Sequence, residues 1–237
     1  MKKILILALM AFAFAACSSD DKQTTKEELH DELYNKLVTP EMEIGLKNLG
    51  VRIYKGINPP RIEGFYTSGI FCIESTLPGD VYKGTRFLDT RFHLSNQNEL
   101  IISVETMQID QSNNTFQSIS NSEGTFISGS GDNFSIFHES ENKPVDGHNT
   151  ISLQVYSGTV VRDANGAITG IRDFKIALLM KDNNGWEDKM PNGAGRVFVD
   201  PENKTPAITE KEYNNYVMPK KTAVDRCFKG LFLDQLM

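Results

Sequence analysis

Apolar and polar positions alternate in step through most of the middle of the chain. Leu88, Thr90, Phe92 and Leu94 alternate with Asp89, Arg91, His93 and Ser95. Ile151, Leu153 and Val155 alternate with Ser152, Gln154 and Tyr156, and Phe174, Ile176, Leu178 and Met180 with Asp173, Lys175 and Lys181. Period two predicts strands with one wet and one buried face, hence antiparallel sheet. Between these runs lie turn signals such as Pro78-Gly79-Asp80, Ser112-Asn113-Asn114 and Asp182-Asn183-Asn184-Gly185; Asn165-Gly166 between two long runs marks a hairpin. The pattern predicts about eight strands, at roughly 64–75, 86–96, 99–109, 115–119, 123–129, 133–139, 149–162 and 167–181, with a ninth at 195–200. Sequential hairpins of this kind build an up-and-down barrel, with a β-sandwich as the alternative.

Helical spacing replaces alternation at both ends. Thr25-Lys26-Glu27-Glu28 is a capping box, followed by Leu29, Leu33, Leu37 and Val38. Thr39-Pro40-Glu41 starts a second helix that Gly50 stops. Beyond Pro206, Thr209-Glu210-Lys211-Glu212 is another capping box, and Val224, Cys227, Phe228 and Leu231 share one helical face. The expected organisation is a helical segment over 26–56, a β domain over 57–206 and a helical segment over 207–237 packed on the barrel. Residues 17–25 form a polar tether.

Lys2 and Lys3 precede an uncharged run from Ile4 to Ala16, too short to span a bilayer. This is the build of an export signal covering residues 1–16. Phe14-Ala15-Ala16-Cys17 resembles the lipobox of bacterial lipoproteins. That resemblance implies cleavage before Cys17, a lipid on its thiol, and an acylated, palmitate-class amino terminus. Each buried methylene holds by roughly 0.8 kcal/mol, so several chains anchor a protein almost permanently. Ser18-Ser19-Asp20-Asp21 resembles the acidic tract that directs many Bacteroidota lipoproteins to the outer face of the outer membrane. Cys17 is thus the lipidation site, the membrane is the first partner, and the outer membrane is the expected location, with the cell surface the side the tract would favour.

Composition narrows the partners. Without residues 1–16 the formal charge moves from −6 to about −8, and no basic stripe appears, which argues against nucleic acid. Besides Cys17 there are only Cys72 and Cys227. In an oxidising compartment the two can pair, closing a loop worth on the order of 4–5 kcal/mol. The rival is separate burial as small hydrophobes.

No catalytic constellation stands out. His30, His93, His138 and His148 form no close metal-binding pair and read as surface residues. Asp182, Asn184, Gly185 and Asp188 look like half of a calcium loop, but an Asx turn fits better. Gly129-Ser130-Gly131 is not a nucleophile elbow, and Gly193-Ala194-Gly195 precedes a strand rather than a phosphate-binding helix. The carboxylates are scattered, with no acid–base pair to nominate. No metal or cofactor is implied.

Asn58-Pro59-Pro60-Arg61-Ile62-Glu63-Gly64-Phe65-Tyr66, Phe126 to Gly131, Phe134-Ser135-Ile136-Phe137 and Gly195-Arg196-Val197-Phe198 resemble segments of uncharacterised Bacteroidota lipoproteins with a lipocalin-like (calycin) barrel. The resemblance covers about residues 40–200 and implies a lipocalin-like fold without lending an activity. Three function classes follow. The first is a non-enzymatic binding protein for a small or apolar ligand. The second is a surface module for a glycan or another protein. The third is a hydrolase, which needs a nucleophile and base that the sequence does not display.

Overall fold

A computed structural model describes residues 25–142 and 149–218. Thr25 opens α1 (Lys26–Leu37) by the expected reciprocal cap: Glu28 N–H donates to Thr25 Oγ1 at 3.2 Å and Thr25 N–H to Glu28 Oε2 at 2.9 Å. Thr39 caps α2 (Pro40–Asn48). The strands are β1 (Ile57–Asn58), β2 (Gly64–Ser75), β3 (Arg86–Asn98), β4 (Ile101–Asp110), β5 (Thr115–Ser130), β6 (Asn133–Asn142), β7 (Thr150–Arg162), β8 (Ile168–Asp182), β9 (Gly195–Val199) and β10 (Thr205–Ile208), followed by α3 (Glu210–Tyr213). With 53% strand and 14% helix among the described residues, the structure is mainly β, as the alternation predicted.

Neighbouring strands from β2 to β8 pair antiparallel in chain order. β9 and β10 share the eighth position: each pairs with both β2 and β8. The hydrogen bonds therefore run around a ring of eight strands. The β2–β3, β4–β5, β6–β7 and β8–β9 connections lie at one end of this ring, here the upper end. The β3–β4, β5–β6 and β7–β8 connections lie at the lower.

Two predicted strands, 115–119 and 123–129, are one. β5 stays paired with β4 through a bulge that takes up an extra residue between Ser122 and Thr125. β10 was not foreseen, because Pro206 reads as a break; a four-residue strand tolerates its missing N–H. The helix expected after Thr209 is one short turn. The chain then extends, and Val217 bridges in parallel to Thr115 on β5. Val224, Cys227, Phe228 and Leu231 lie outside the described residues, as do Cys17 and the tether up to Thr24.

The core has two layers. Inside the ring, Tyr66, Phe92, Leu94, Ile102, Ile127, Phe134, Tyr156 and Ile171 fill the lower half, and Ile62 plugs it. Outside, Tyr34, Val38, Met42 and Leu46 of the two helices cover Phe126, Phe137, Leu153, Val155, Ala177 and Leu179. This outer layer turns one expectation inside out. Ile151, Leu153 and Val155 were to face the interior, with Ser152, Gln154 and Tyr156 in water. Instead both faces of β7 are buried over most of its length: Leu153 and Val155 lie under the helices, and Ser152, Gln154 and Tyr156 point inward. α2 approaches so closely that a Cβ at Gly45 would stand 2.8 Å from Leu179 Cδ2.

Candidate functional site

The polar positions of several strands converge in the upper interior. Thr106 and Gln108 come from β4, Ser118, Ser120 and Ser122 from β5, His138 from β6, and Ser152 and Gln154 from β7. Their registry follows from the ladders Gln108↔Ser118, Thr106↔Ser120, Val104↔Ser122 and His138↔Gln154. Ser118 Oγ donates to Gln108 Oε1 at 3.1 Å, and Tyr156 O–H donates to Gln154 Oε1 at 2.6 Å. Ser152 Oγ is buried and has no hydrogen-bond partner among the described residues. His138 Nε2 lies 2.8 Å from Ser122 Oγ. Burial pushes the His138 imidazole down to about 4, against a smaller upward pull from Glu139, so the ring is neutral near pH 7.

Beneath these groups is a mainly apolar cavity lined by Ile70, Phe92, Tyr156, Ile176, Leu178 and Phe198 together with Thr90, Gln108 and Gln154. It offers ≈ 20 Å³ to the centre of a water molecule, room for one water and not for an organic ligand. A second void below it, beside Tyr66 and Phe134, offers ≈ 10 Å³.

The upper end is roofed by the β2–β3 connection, whose anchor is a buried ion pair. Arg196 on β9 donates to Asp80 through Nε at 2.6 Å and Nη2 at 3.2 Å, and both side chains are 3% exposed. Ser75 Oγ and Tyr82 N–H also donate to Asp80. Tyr82 lays its ring 4.6 Å from the Arg196 guanidinium. Burial alone would raise the Asp80 carboxyl, but these donors outweigh it and hold the group at about 2.

No family model, curated protein or solved structure matches the chain. The reading of the site therefore rests on its own geometry.

The structure scatters most sequence candidates and joins others. His30, expected on the surface, is buried: Ser128 Oγ lies 2.9 Å from its Nε2, and Asp31 Oδ1 3.1 Å from its Nδ1. This resembles a hydrolytic triad in composition only. Ser128 is fully buried and is engaged by both N–H and C=O of Gly56, so no substrate carbon can reach it. The contact ties α1 and the approach to β1 onto β5. His138, the other misplaced histidine, is half-buried and faces inward; His93 stacks on Phe65 on the outer face, and His148 lies outside the described residues. Residues 182–185 make Asx turns, with Asp182 Oδ1 accepting from Asn184 N–H and Asn183 Oδ1 from Gly185 N–H. Among the described residues no group of three or more His, Cys, Asp or Glu side chains is arranged to hold a metal.

Two carboxylates flank Gly69. A Cβ at Gly69 would lie 3.3 Å from Asp200 Oδ2 and 3.5 Å from Asp89 Oδ1, at an outer groove that Arg86 and Lys204 also line. Asp200 accepts from Gly69 N–H at 2.6 Å, while burial raises the Asp89 carboxyl. Cys72 is fully buried inside the ring with Ile70 and Phe198, and burial lifts its thiol to about 11. Its proposed partner Cys227 lies outside the described residues.

Sequence reasoning missed Gln108, Gln154, Thr106 and the three β5 serines. The available signal was that uncharged polar residues hold one phase of β5 over Ser118, Ser120 and Ser122 and of β7 over Thr150, Ser152 and Gln154, an unusual choice for a face meant for water.

Proposed function

We propose that this chain is a lipid-anchored envelope protein, held in the outer membrane through Cys17, that binds a small ligand without chemistry at the upper end of a lipocalin-like barrel. One observation carries the reading: the ring interior is apolar and filled below, and above it adds to apolar Ile70, Leu178 and Phe198 a set of uncharged polar side chains, among which Ser152 Oγ has no hydrogen-bond partner among the described residues. A buried polar group without a partner costs stability, about 1–3 kcal/mol, and a site that spends it gains a place to recognise something. The lipocalin-like assignment is supported by the eight-strand ring, the sequential hairpins and the sequence segments noted above. The anchor is supported by the lipobox-like Phe14-Ala15-Ala16-Cys17, and among the described residues no helix is long and apolar enough to cross a membrane.

Native mass spectrometry of protein purified from its own host tests the binding reading. A stoichiometric adduct beyond the acyl chains supports it; protein carrying only its lipid counts against it. Labelling with an alkyne fatty acid tests the anchor, and Cys17→Ala should abolish both label and membrane retention.

The smallness of the interior cavity favours a second reading, a surface module that contacts a glycan or a protein partner with the ring filled. The hydrolase reading has least support, since the Ser128–His30–Asp31 contact is closed to substrate.

A further inference from the structure

We infer that Asn165, at the tip of the β7–β8 hairpin, is a site of spontaneous deamidation through a succinimide, and that the fold withholds the same reaction from Asn184 and Asn192. In an Asn-Gly pair the glycine nitrogen can close on the side-chain amide carbon, because glycine has no Cβ to stand in the way. The chain has three such pairs: Asn165-Gly166, Asn184-Gly185 and Asn192-Gly193. The reaction needs a side-chain amide free to swing toward the main chain. It also needs a glycine N–H that water can reach, and a backbone that can leave its turn.

The structure meets these needs unequally. Asn192 Oδ1 accepts from Asn183 N–H at 2.7 Å. Its glycine, Gly193, donates to the Met180 carbonyl at 2.8 Å, where Met180 N–H in turn donates to Ala194 O at 2.8 Å, extending the β8–β9 pairing. Asn184 Nδ2 donates to the Asn149 carbonyl at 2.6 Å, and Gly185 N–H donates to Asn183 Oδ1 at 3.0 Å. Both side-chain amides are therefore tied away from the glycine nitrogen. Asn165 differs: its side chain makes no hydrogen bond among the described residues, and residues 161–167 are all exposed. Asp163 N–H donates to Ala167 O at 2.9 Å, which closes a three-residue loop with Gly166 at φ 84°. The nucleophile is held only by the turn bond from Gly166 N–H to Asp163 O at 3.0 Å. An exposed tip opens at little free-energy cost, whereas a ladder position opens at a cost approaching that of the whole domain.

Water is the only co-reactant. Hydroxide removes the Gly166 amide proton, and the nitrogen adds to Asn165 Cγ. The new C–N bond forms as the bond to the amide nitrogen breaks, and ammonia leaves with a proton from water, which regenerates hydroxide. One water then opens the five-membered imide at either carbonyl. The product at position 165 is an aspartate or, with the main chain rerouted through the side chain, an isoaspartate. Each carries a charge that the amide lacked, and isoaspartate lengthens the loop by one methylene. The new carboxylate joins Asp132 and Asp163 near Arg162, which in the unmodified chain donates to Asp132 Oδ1 and to the Gly166 carbonyl, each at 3.1 Å. The long β7–β8 ladder lies outside the loop, so the product stays folded, with a more acidic lower end and an unaltered upper interior.

Peptide mapping by mass spectrometry of the full mature chain, incubated at pH 8 in native buffer and in urea, tests this. In native protein position 165 should convert at least ten times faster than 184 or 192, with isoaspartate among its products. In urea, where only the shared Asn-Gly chemistry remains, the three should convert within about threefold of one another. Gly166→Ala, whose Cβ meets no atom within 4 Å, should slow position 165 at least tenfold with an unchanged circular dichroism spectrum. Asn165→Gln leaves the glycine in place and should abolish the first acidic variant seen on ion exchange, which covers the case of a misfolded Gly166→Ala. Native rates at 184 or 192 equal to that at 165 overturn the inference. So does aspartate without isoaspartate at 165, or conversion there that is indifferent to Gly166→Ala. A native chain that stays unconverted at 165 while the unfolded chain converts overturns it as well.

Discussion

Removing the Asp80 carboxylate should unpin the roof of the ring at a cost larger than any surface ion pair could explain. In Asp80→Ala, Arg196 loses its two-point partner, and Ser75 Oγ and Tyr82 N–H lose their acceptor. At 3% exposure the guanidinium has no water to turn to. Stripping one partner from a buried pair costs about 3–5 kcal/mol, against a typical ~0–1 kcal/mol for an exposed pair. For a domain of this size a change of that order lowers the melting temperature by roughly 6–20 °C. The double variant Asp80→Leu/Arg196→Met should recover most of the loss, since an apolar pair of similar volume removes the orphaned charge. Urea titration and thermal melts of wild type, both single variants and the double variant give the full cycle. The pH dependence follows from the depressed carboxyl. Its stabilisation is fully present above the ordinary value of 3.8 and drains away as pH falls from there through about 2, so this pair adds no slope between pH 5 and 8. An Asp80→Ala loss below about 1 kcal/mol, or a double variant as unstable as the single, would refute the reasoning.

Three shorter tests address other parts of the molecule. His138 has a folded value of about 4, below the ordinary 6.5, so it leaves stability independent of pH above about 6.5 and lowers it increasingly from pH 6.5 down to about 4; His138→Gln should flatten that part of the stability profile, and an NMR titration midpoint near 6.5 in the folded protein would contradict the account. Cys72 should resist a thiol reagent at pH 8 for at least a hundred times longer in the native protein than in urea, and fast native labelling would show that strand β2 is not packed as described; two thiols titrated in unfolded, unreduced, delipidated protein would separately exclude a Cys72–Cys227 bridge. Gly129→Ala should cost about 3 kcal/mol or more, because its Cβ would collide with the Asn133 carbonyl across the β5–β6 turn, whereas Gly166→Ala meets no atom within 4 Å and pays only for its left-handed backbone, about 1 kcal/mol; similar melting temperatures for the two would be the refuting result.

The strands were legible because alternation and turn chemistry are local. Thr90 to Ser95 and Phe174 to Lys181 have the faces that spacing alone predicts; at Leu88 a bulge breaks the phase, and Phe87 packs inward in its place. β7 gave the wrong one, because period two reports that two faces differ and not which of them meets the core. Leu153 and Val155 face outward under α1 and α2, and no local signal says that helices 100 residues earlier cover them. β10 hid behind Pro206, whose sequence meaning is a break. The site was illegible for a related reason. Gln108 and Gln154 are unremarkable residues 46 positions apart, and only closure of the ring brings them to one cavity. Asp80 sat in a turn signal and Arg196 in a possible strand; nothing short of the β2–β9 pairing joins them.

That closure has a consequence for how the protein is made. β2 finds its outer neighbours only in β9 and β10, so Cys72 waits for Phe198, 126 residues later, and Tyr66 for Ala207. Hairpins from β2 to β8 can form as they appear, since each needs only the strand before it. The last edge cannot be satisfied until nearly the whole domain has been delivered, whether from a ribosome or through a translocation channel. Until then the growing sheet carries an unpaired strand at each side, one of them bearing Phe65, Ile70 and Phe71. Contacts of such long sequence separation form slowly, and open edges recruit other chains. The same geometry that leaves the finished ring with protected margins therefore makes its assembly intermediate the stage most exposed to aggregation and most in need of a holding chaperone.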